Sequence, residues 1–464
     1  MQGGSGLFVS PLFLRENIEV VGMELRTSGN NVWESEEETI MKNDFILKGN
    51  ICYSETMDRL RVAEQQYVIC VDGKSAGVFS EIPEKYQGLP VKDCGDALIV
   101  PGMVDLHAHA PQYAFRGLGM DLELLEWLNT HTFPEEAKYA SEVYAKRAYT
   151  MYVEELKKSD VTRAVIFATM HVEGTKILME LLEDSGLSAY VGKVNMDRNG
   201  GKDLEEESAK RSLEETRRWL AETDGRFQYV RPILTPRFIP SCTDELMRGL
   251  AELQKERKLP VQSHLSENPG EIAWVKELCP NVSNYSEAYE QFGLFGGNCP
   301  TIMAHCIWME EGEIEKMKNN QVYVAHCPQS NMNLSSGIAP VRRFLSEGIP
   351  TGLGSDMAAG YSASIFRAMA DAIQCSKMRW RLVDDTQKPL TVEEAFYLGT
   401  KGGGAFFGKV GSLEEGYEFD ALVLDDSSIA HPQELTVRDR LERMIYLSDD
   451  RHITEKYISG RKVK

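Results

Sequence analysis

Between residues 98 and 354 the chain repeats one pattern. A short, nearly unbroken apolar run is followed by a stretch whose apolar residues recur at helical spacing. The runs cover 98–106, 163–169, 189–196, 229–234, 260–265, 301–305, 322–327 and 350–354. Strands buried on both faces read this way, because neither face meets water. The stretches between them, 142–157 and 245–258 among them, place apolar residues as one-sided helices do. About eight strand-plus-helix units over about 300 residues predict a (β/α)8 barrel, the TIM-barrel class of α/β fold. A doubly wound open sheet is the alternative, but it would carry a G-x-G-x-x-G turn after its first strand, and none follows here.

The two ends of the chain have a different texture. Residues 45–49, 66–71 and 74–79 read as short strands separated by turn residues such as Asp72-Gly73, and 420–425 and 457–461 return to the same style. A small β-sandwich domain built from both ends is therefore expected, with its parts at 41–99 and 401–464 around a catalytic barrel at 100–400. Residues 1–40 fit neither. They contain Gly3-Gly4-Ser5-Gly6, Ser28-Gly29-Asn30-Asn31 and the acidic run at 34–38, and they read as a disordered leader ahead of an ordinary start at Met41.

Composition narrows the function classes. The 42% hydrophobic and 26% charged content is that of a globular protein. A formal net charge of −20 argues against nucleic-acid binding and against anionic membrane surfaces. No apolar run approaches the ~20 residues that span a bilayer, and no basic segment followed by an apolar one suggests secretion. The nine cysteines are scattered without a CxxC, as expected of reduced thiols in the cytoplasm.

The chemistry collects where the runs end. In a barrel of this kind it sits at the C-terminal ends of the strands. The first run ends in Asp105-Leu106-His107-Ala108-His109, and two histidines one residue apart on a strand turn their rings to the same side. The fourth leads to Thr235-Pro236-Arg237-Phe238, the fifth to His264-Leu265-Ser266-Glu267, and the sixth ends in His305. The seventh gives His326-Cys327-Pro328 and the eighth Ser355-Asp356. Five of the nine histidines end a strand, which points to a metal site. His326 and Cys327 are adjacent and face opposite ways, so they do not form a Cys–His nucleophile pair.

This constellation resembles the amidohydrolase superfamily: HxH on the first strand, His on the fifth, His on the sixth and Asp on the eighth. Gly411-Ser412-Leu413-Glu414-Glu415-Gly416 fits the lead-in to its last strands. Pro111-Gln112-Tyr113, 124–128, 191–194, Thr235-Pro236-Arg237-Phe238, 263–268 and His326-Cys327-Pro328 resemble its guanine deaminase branch, from about Asp44 to the end. The resemblance implies one zinc ion per subunit, with iron as the substitute, held by His107, His109, His264 and Asp356. Relatives with two metals bridge them by a carboxylated lysine on the fourth strand. Here that strand ends in Arg237 and the nearest lysine, Lys193, is on the third, so a single metal is expected.

The resemblance also implies roles. A metal-bound hydroxide attacks C2 of guanine and ammonia leaves. Asp356 takes the water's proton, Glu267 protonates N3 and then the departing amine, and His305 directs the hydroxide. Arg237 offers a fork of donors to O6 and N7, Gln112 meets the N1/O6 edge, and Phe238 stacks on the ring. Trp127 and Phe133 are candidate walls, and Lys193, Asp197 and His171 candidate supports. The structural alternatives are a helix-start carboxylate for Glu267, a surface salt bridge for Arg237, core packing for Phe238 and a backbone-bonded ring for His305. The expected partner is a small purine, in a homodimer. The competing functions are a related hydrolase of another aminated or halogenated heterocycle (8-oxoguanine, a triazine, an adenine nucleoside) and a scaffold without activity.

Overall fold

Both ends of the chain contribute to one sheet. The computed structural model describes residues 44–201 and 203–464; the leader expected at 1–40 lies outside the described residues. In chain order the strands are β1 (Phe45–Thr56), β2 (Arg59–Val71), β3 (Lys74–Phe79), β4 (Val91–Pro101), β5 (Met103–His109), β6 (Val161–Phe167), β7 (Ser188–Gly192), β8 (Val194–Asn195), β9 (Val230–Pro232), β10 (Thr235–Pro236), β11 (Val261–Leu265), β12 (Thr301–His305), β13 (Tyr323–His326), β14 (Thr351–Leu353), β15 (Ala421–Leu424), β16 (Ile453–Ile458) and β17 (Arg461–Lys462).

Hydrogen bonds join β17-β16-β15-β4-β1-β2-β3, in that order, into a seven-stranded sheet. Period-two alternation gives it two apolar faces. Leu47, Ile51, Tyr53, Ile99, Ala421 and Val423 form a core of its own. Their neighbours Cys52, Leu98, Val100, Leu422 and Leu424 join the main core. The salt bridge of Arg163 on β6 with Asp420 pins this sheet to the rest: Nε reaches Oδ2 at 2.6 Å and Nη2 reaches Oδ1 at 3.1 Å, both side chains being buried.

The eight apolar runs all contain strands, though several are shorter or divided. The first run breaks at Gly102, so β4 belongs to the terminal sheet and β5 opens the catalytic part. A Cβ on Gly102 would lie 2.2 Å from the Thr162 side chain, a close approach that only glycine permits. The third run is cut at Lys193 into β7 and β8. The fourth stops at Pro232 and resumes as β10, which pairs with β8; Pro232 and Pro236 have no N–H to give a ladder.

These strands make two parallel four-stranded sheets, β5-β6-β7-β9 and β11-β12-β13-β14. A parallel bridge between Leu234 and Val261 links them on one side. On the other, Asp356 N donates to His107 O at 2.8 Å and His109 N to Met357 O at 2.9 Å. Val104, Leu106, Val165, Ile233, Ile302, Ala304, Ala325 and Cys327 share one apolar cluster. Ala164, Ile166, Met303 and Val324, of opposite parity, join the larger one that includes the helices. The helices Glu142–Lys158 and Asp244–Arg257 fall where the helical spacing predicts them. Among the described residues no helix is long and apolar enough to cross a membrane, and all nine cysteines are free.

Candidate active site

A bulge aims the first two histidines. Along β5 the pairing runs from Asp105 opposite Ala164 to Ala108 opposite Ile166, three residues against two. A bulge of this kind switches which residues face a given side. Leu106 packs in the apolar cluster between the strands, yet His107 and His109 reach the site with ring centroids 4.9 Å apart. Asp105, fully buried, accepts from His107 N at 3.1 Å, Ser355 N at 2.9 Å and the Ser355 hydroxyl. It ties β5 to the loop that carries Asp356.

The other strand ends turn sharply. Ser266, His305, Cys306 and Asp356 all have left-handed backbone, with φ of 49°, 70°, 50° and 46°. Non-glycine residues seldom adopt it and the strain concentrates at functional sites. Gly354 is forced in the same loop: a Cβ there would lie 2.8 Å from Cys327 Sγ and 2.9 Å from His107 Cβ.

Four imidazoles and two carboxylates converge. His109 Nε2 lies 3.1 Å from His264 Nε2. His107 Nε2 and His109 Nε2 stand 3.2 Å and 3.6 Å from Asp356 Oδ1. His305 Nε2 lies 3.4 Å from Glu267 Oε2 and 3.9 Å from Asp356 Oδ2. His107, His264 and His305 bring ligand atoms within 4.8 Å of one another, as do His107, Cys327 and Asp356. Burial, reinforced by the His107 ring, holds His109 and His264 well below the ordinary imidazole value. Burial works against the charge of Asp356, but the surrounding rings of His107, His305 and His109 outweigh it and hold that carboxyl well below its usual range.

A hydrogen bond fixes which nitrogen of His264 stays bare. His264 Nδ1 lies 2.6 Å from the Arg237 carbonyl, which only accepts, so its proton is there and Nε2 is a free lone pair. It faces His109 Nε2 across 3.1 Å, and His107 Nε2 is buried without a well-formed hydrogen bond. Imidazole nitrogens grouped around an ionised carboxylate, shut away from water, are the donor set of a transition-metal cation such as zinc. His305 Nδ1 sits 2.9 Å from Asn331 Oδ1, which leaves its Nε2 toward Glu267.

Glu267 has its own setting. Its Oε1 accepts from Ser336 Oγ at 3.1 Å, and its backbone N–H donates to Glu271 Oε2 at 3.0 Å. Burial, aided by the charge of Asp356, pushes its carboxyl up to about 8.

One pocket is lined by His109, Gln112, Arg237, Phe238, His264, Glu267, His305 and Asp356, together with Leu124, Trp127 and Leu128. Each of the nine expected metal, catalytic and purine-binding residues therefore borders a single cavity except His107, whose Nε2 stands 3.2 Å from Asp356 Oδ1. Phe133 is instead stacked under Arg237, 5.3 Å from its guanidinium. Lys193 forms a buried pair with Glu206 at 2.6 Å, and Asp197 accepts from the backbone N and hydroxyl of Thr243, the N-cap of the helix Asp244–Arg257. His326 is buried with Nδ1 unpartnered. Asn331, Ser336 and Glu136 escaped the sequence reading; Glu136 bonds both Arg237 and Gln112. A larger groove of about 920 Å³ lies on the terminal sheet beside Lys92, Asp426 and Arg440. Among the described residues it holds no metal-ligating cluster.

The family model for the amidohydrolase family matches residues 98–463. The chain belongs to the amidohydrolase family. Within it, the chain is 40% identical to a guanine deaminase of Dictyostelium discoideum over 382 residues, 81% of this chain and 84% of the relative. It is 34% identical to the guanine deaminase of Escherichia coli over 386 residues, covering 80% and 84%. A solved guanine deaminase from C. acetobutylicum, with guanine bound in its active site, superposes with a TM-score of 0.88 at 48% identity, covering 91% of this chain and all of that one.

Proposed function

We propose that the protein is an enzyme that hydrolyses guanine to xanthine and ammonia. The observation that carries this reading is one buried cavity where imidazole nitrogens, an ionised aspartate and a proton-holding glutamate meet a wall of Arg237, Gln112 and Phe238. The similarity to a guanine-bound guanine deaminase over 91% of the chain supports it. His107, His109, His264 and Asp356 would hold a single zinc or iron ion, which when bound supplies a Lewis acid that makes water nucleophilic at neutral pH.

The chain's own residues do the rest. Arg237 donates to O6 and N7, two acceptors on one edge that match its fork. Adenine presents a donor at position 6 and would face Arg237 donor to donor, an unpaired contact that discriminates strongly. Gln112 meets the N1/O6 edge and Phe238 covers a ring face. As water adds to C2, Glu267 gives its proton to N3 and Asp356 takes a proton from the water. On collapse, Glu267 carries the proton of the new C2 hydroxyl to the amine, which leaves as ammonia. The proton on Asp356 then restores Glu267. His305 Nε2, 3.4 Å from one carboxylate and 3.9 Å from the other, spans the gap between them and orients the water.

The same reading takes the two parallel sheets as one eight-stranded barrel, linked through Leu234–Val261 and the β5–Asp356 loop contacts. It takes the terminal sheet as a sandwich domain folded around its own core, with 41–99 and 401–464 as its parts and 100–400 as the barrel. It assigns a homodimer in the cytoplasm, in keeping with nine free thiols.

The test is metal analysis of purified protein beside an ammonia-release assay on guanine, for the native chain and Arg237→Ala. The native chain is expected to hold about one metal per subunit and release ammonia; Arg237→Ala should keep its metal and lose guanine turnover. Metal-loaded native protein without activity on guanine overturns the assignment.

A further inference from the structure

The donors that would read the purine edge are themselves held by one residue outside the pocket. Glu136, at the end of the short helix Phe133–Glu136, is 2% exposed and does not line the cavity. Its carboxylate grips Arg237 end-on: Nη1 donates to Oε2, and Nη2 to Oε1 at 3.0 Å. The same Oε1 accepts from Gln112 Nε2 at 2.8 Å.

That contact settles the orientation of the Gln112 amide. A carboxylate only accepts, so Gln112 must turn its NH2 group to Glu136 and its oxygen away. Ala358 N, donating to Gln112 Oε1 at 3.3 Å, requires the same orientation. Arg237 has five N–H groups, of which two go to Glu136 and three remain without a bond to it; Gln112 keeps one hydrogen and one lone pair. Without Glu136 the guanidinium could rotate, and the amide could flip and exchange donor for acceptor.

We propose that Glu136 is the positioning residue that sets selectivity for a 6-oxopurine. It holds Arg237 and Gln112 so that the wall shows donors to O6 and N7 and a fixed amide to N1. Its charge also offsets that of Arg237, so the wall takes a neutral ring and has no surplus positive charge to attract an anionic one. Phe133, one turn earlier on the same helix, packs under the guanidinium. The helix that carries this clamp continues from Leu124, Trp127 and Leu128, which wall the cavity. The inference rests on the purine reading of the site.

The experiment measures binding, by calorimetry, of two bases with no amino group at C2 to the metal-loaded protein. Hypoxanthine carries O6, N1–H and N7; unsubstituted purine lacks O6. In Glu136→Gln the Kd of hypoxanthine is expected to rise about ten- to a hundred-fold, the worth of a charge-assisted hydrogen bond, while that of purine changes less than about threefold. Equal weakening of both, or no weakening of hypoxanthine, overturns the proposal. Should Glu136→Gln not yield folded protein, Glu136→Asp keeps the charge and withdraws it by one methylene. It is expected to lower the preference for hypoxanthine over purine at least about threefold at an unchanged Tm, and an unchanged preference overturns the proposal. Native protein that prefers neither base, and releases no ammonia from guanine, fails the purine reading itself.

Discussion

Glu267→Gln separates catalysis from metal binding at a single atom. The substitution keeps the shape and the bond from Ser336 Oγ to Oε1, and removes only the capacity to hold and release a proton. Burial lifts the carboxyl of the metal-free chain to about 8, which favours the protonated form a general acid needs. Loss of such a group lowers kcat about 10²- to 10⁴-fold, about 3–5 kcal/mol of barrier. Metal content should stay at the native value, because Glu267 is not among the proposed ligands. The same substitution should stabilise the metal-free protein. The unfolded carboxyl titrates near 4.5 and the folded one near 8. Between those values the folded chain holds one more proton, so native stability falls as pH rises, by about 1.4 kcal/mol per unit. Glu267→Gln lacks that fall, so from about pH 5.5 to about pH 7.5 its advantage should grow by about 3 kcal/mol. Steady-state ammonia release, metal analysis and urea unfolding after chelation measure the three effects. A variant that keeps more than about a tenth of kcat refutes the acid role, and parallel stability profiles refute the buried, protonated carboxyl.

Two further outcomes concern the junction between the chain ends and the catalytic part. Arg163→Met leaves Asp420, which is fully buried, without its partner and should cost about 3–5 kcal/mol of unfolding free energy. Adding Asp420→Asn should recover more than half, and a single-variant loss under about 1 kcal/mol contradicts the pinning of the sheets. Lys456 is fully buried, its Nζ donating to Leu156 O at 2.8 Å and Val161 O at 2.9 Å, and burial pushes its amine down to about 7. Between about 7 and 10.5 the unfolded chain binds the extra proton, so native stability should rise with pH by about 1.4 kcal/mol per unit relative to Lys456→Met. Urea midpoints from about pH 7.5 to about pH 9.5 that run parallel in the two proteins contradict a neutral buried lysine.

What could be read in the sequence was whatever depends on one element at a time. Each of the eight apolar runs holds a strand because burial on both faces leaves the same mark whatever the neighbours are. His107, His109, His264, His305 and Asp356 stood out because the chemistry of such a fold collects at strand ends. Glu136 was hidden because its meaning lies in a contact 101 positions away, with Arg237. In the sequence it is half of Glu135-Glu136, a pair that resembles a solvated helix face. Successive residues on a helix point about 100° apart. Glu135 therefore meets Lys138 and Tyr144, while Glu136 turns to Arg237 and Gln112.

The remaining blind spots share one cause: the site is built where strands depart from regular geometry. Plain alternation along β5 would put Leu106 and His107 on opposite sides and leave the histidines facing away from the interior. The bulge between Asp105 and Ala108 reverses that. His305 follows Ala304, which faces the inner cluster, and regular pleating would send its ring outward; a φ of 70° brings it back toward Glu267. Asp356, at φ 46°, is held there by Asp105 through Ser355 and by the His107 carbonyl. Residues with a Cβ take up this conformation only when surrounding bonds over-determine it. Asp105 is thus as much a part of the site's geometry as the histidines that follow it, although it neither lines the cavity nor bonds an imidazole nitrogen.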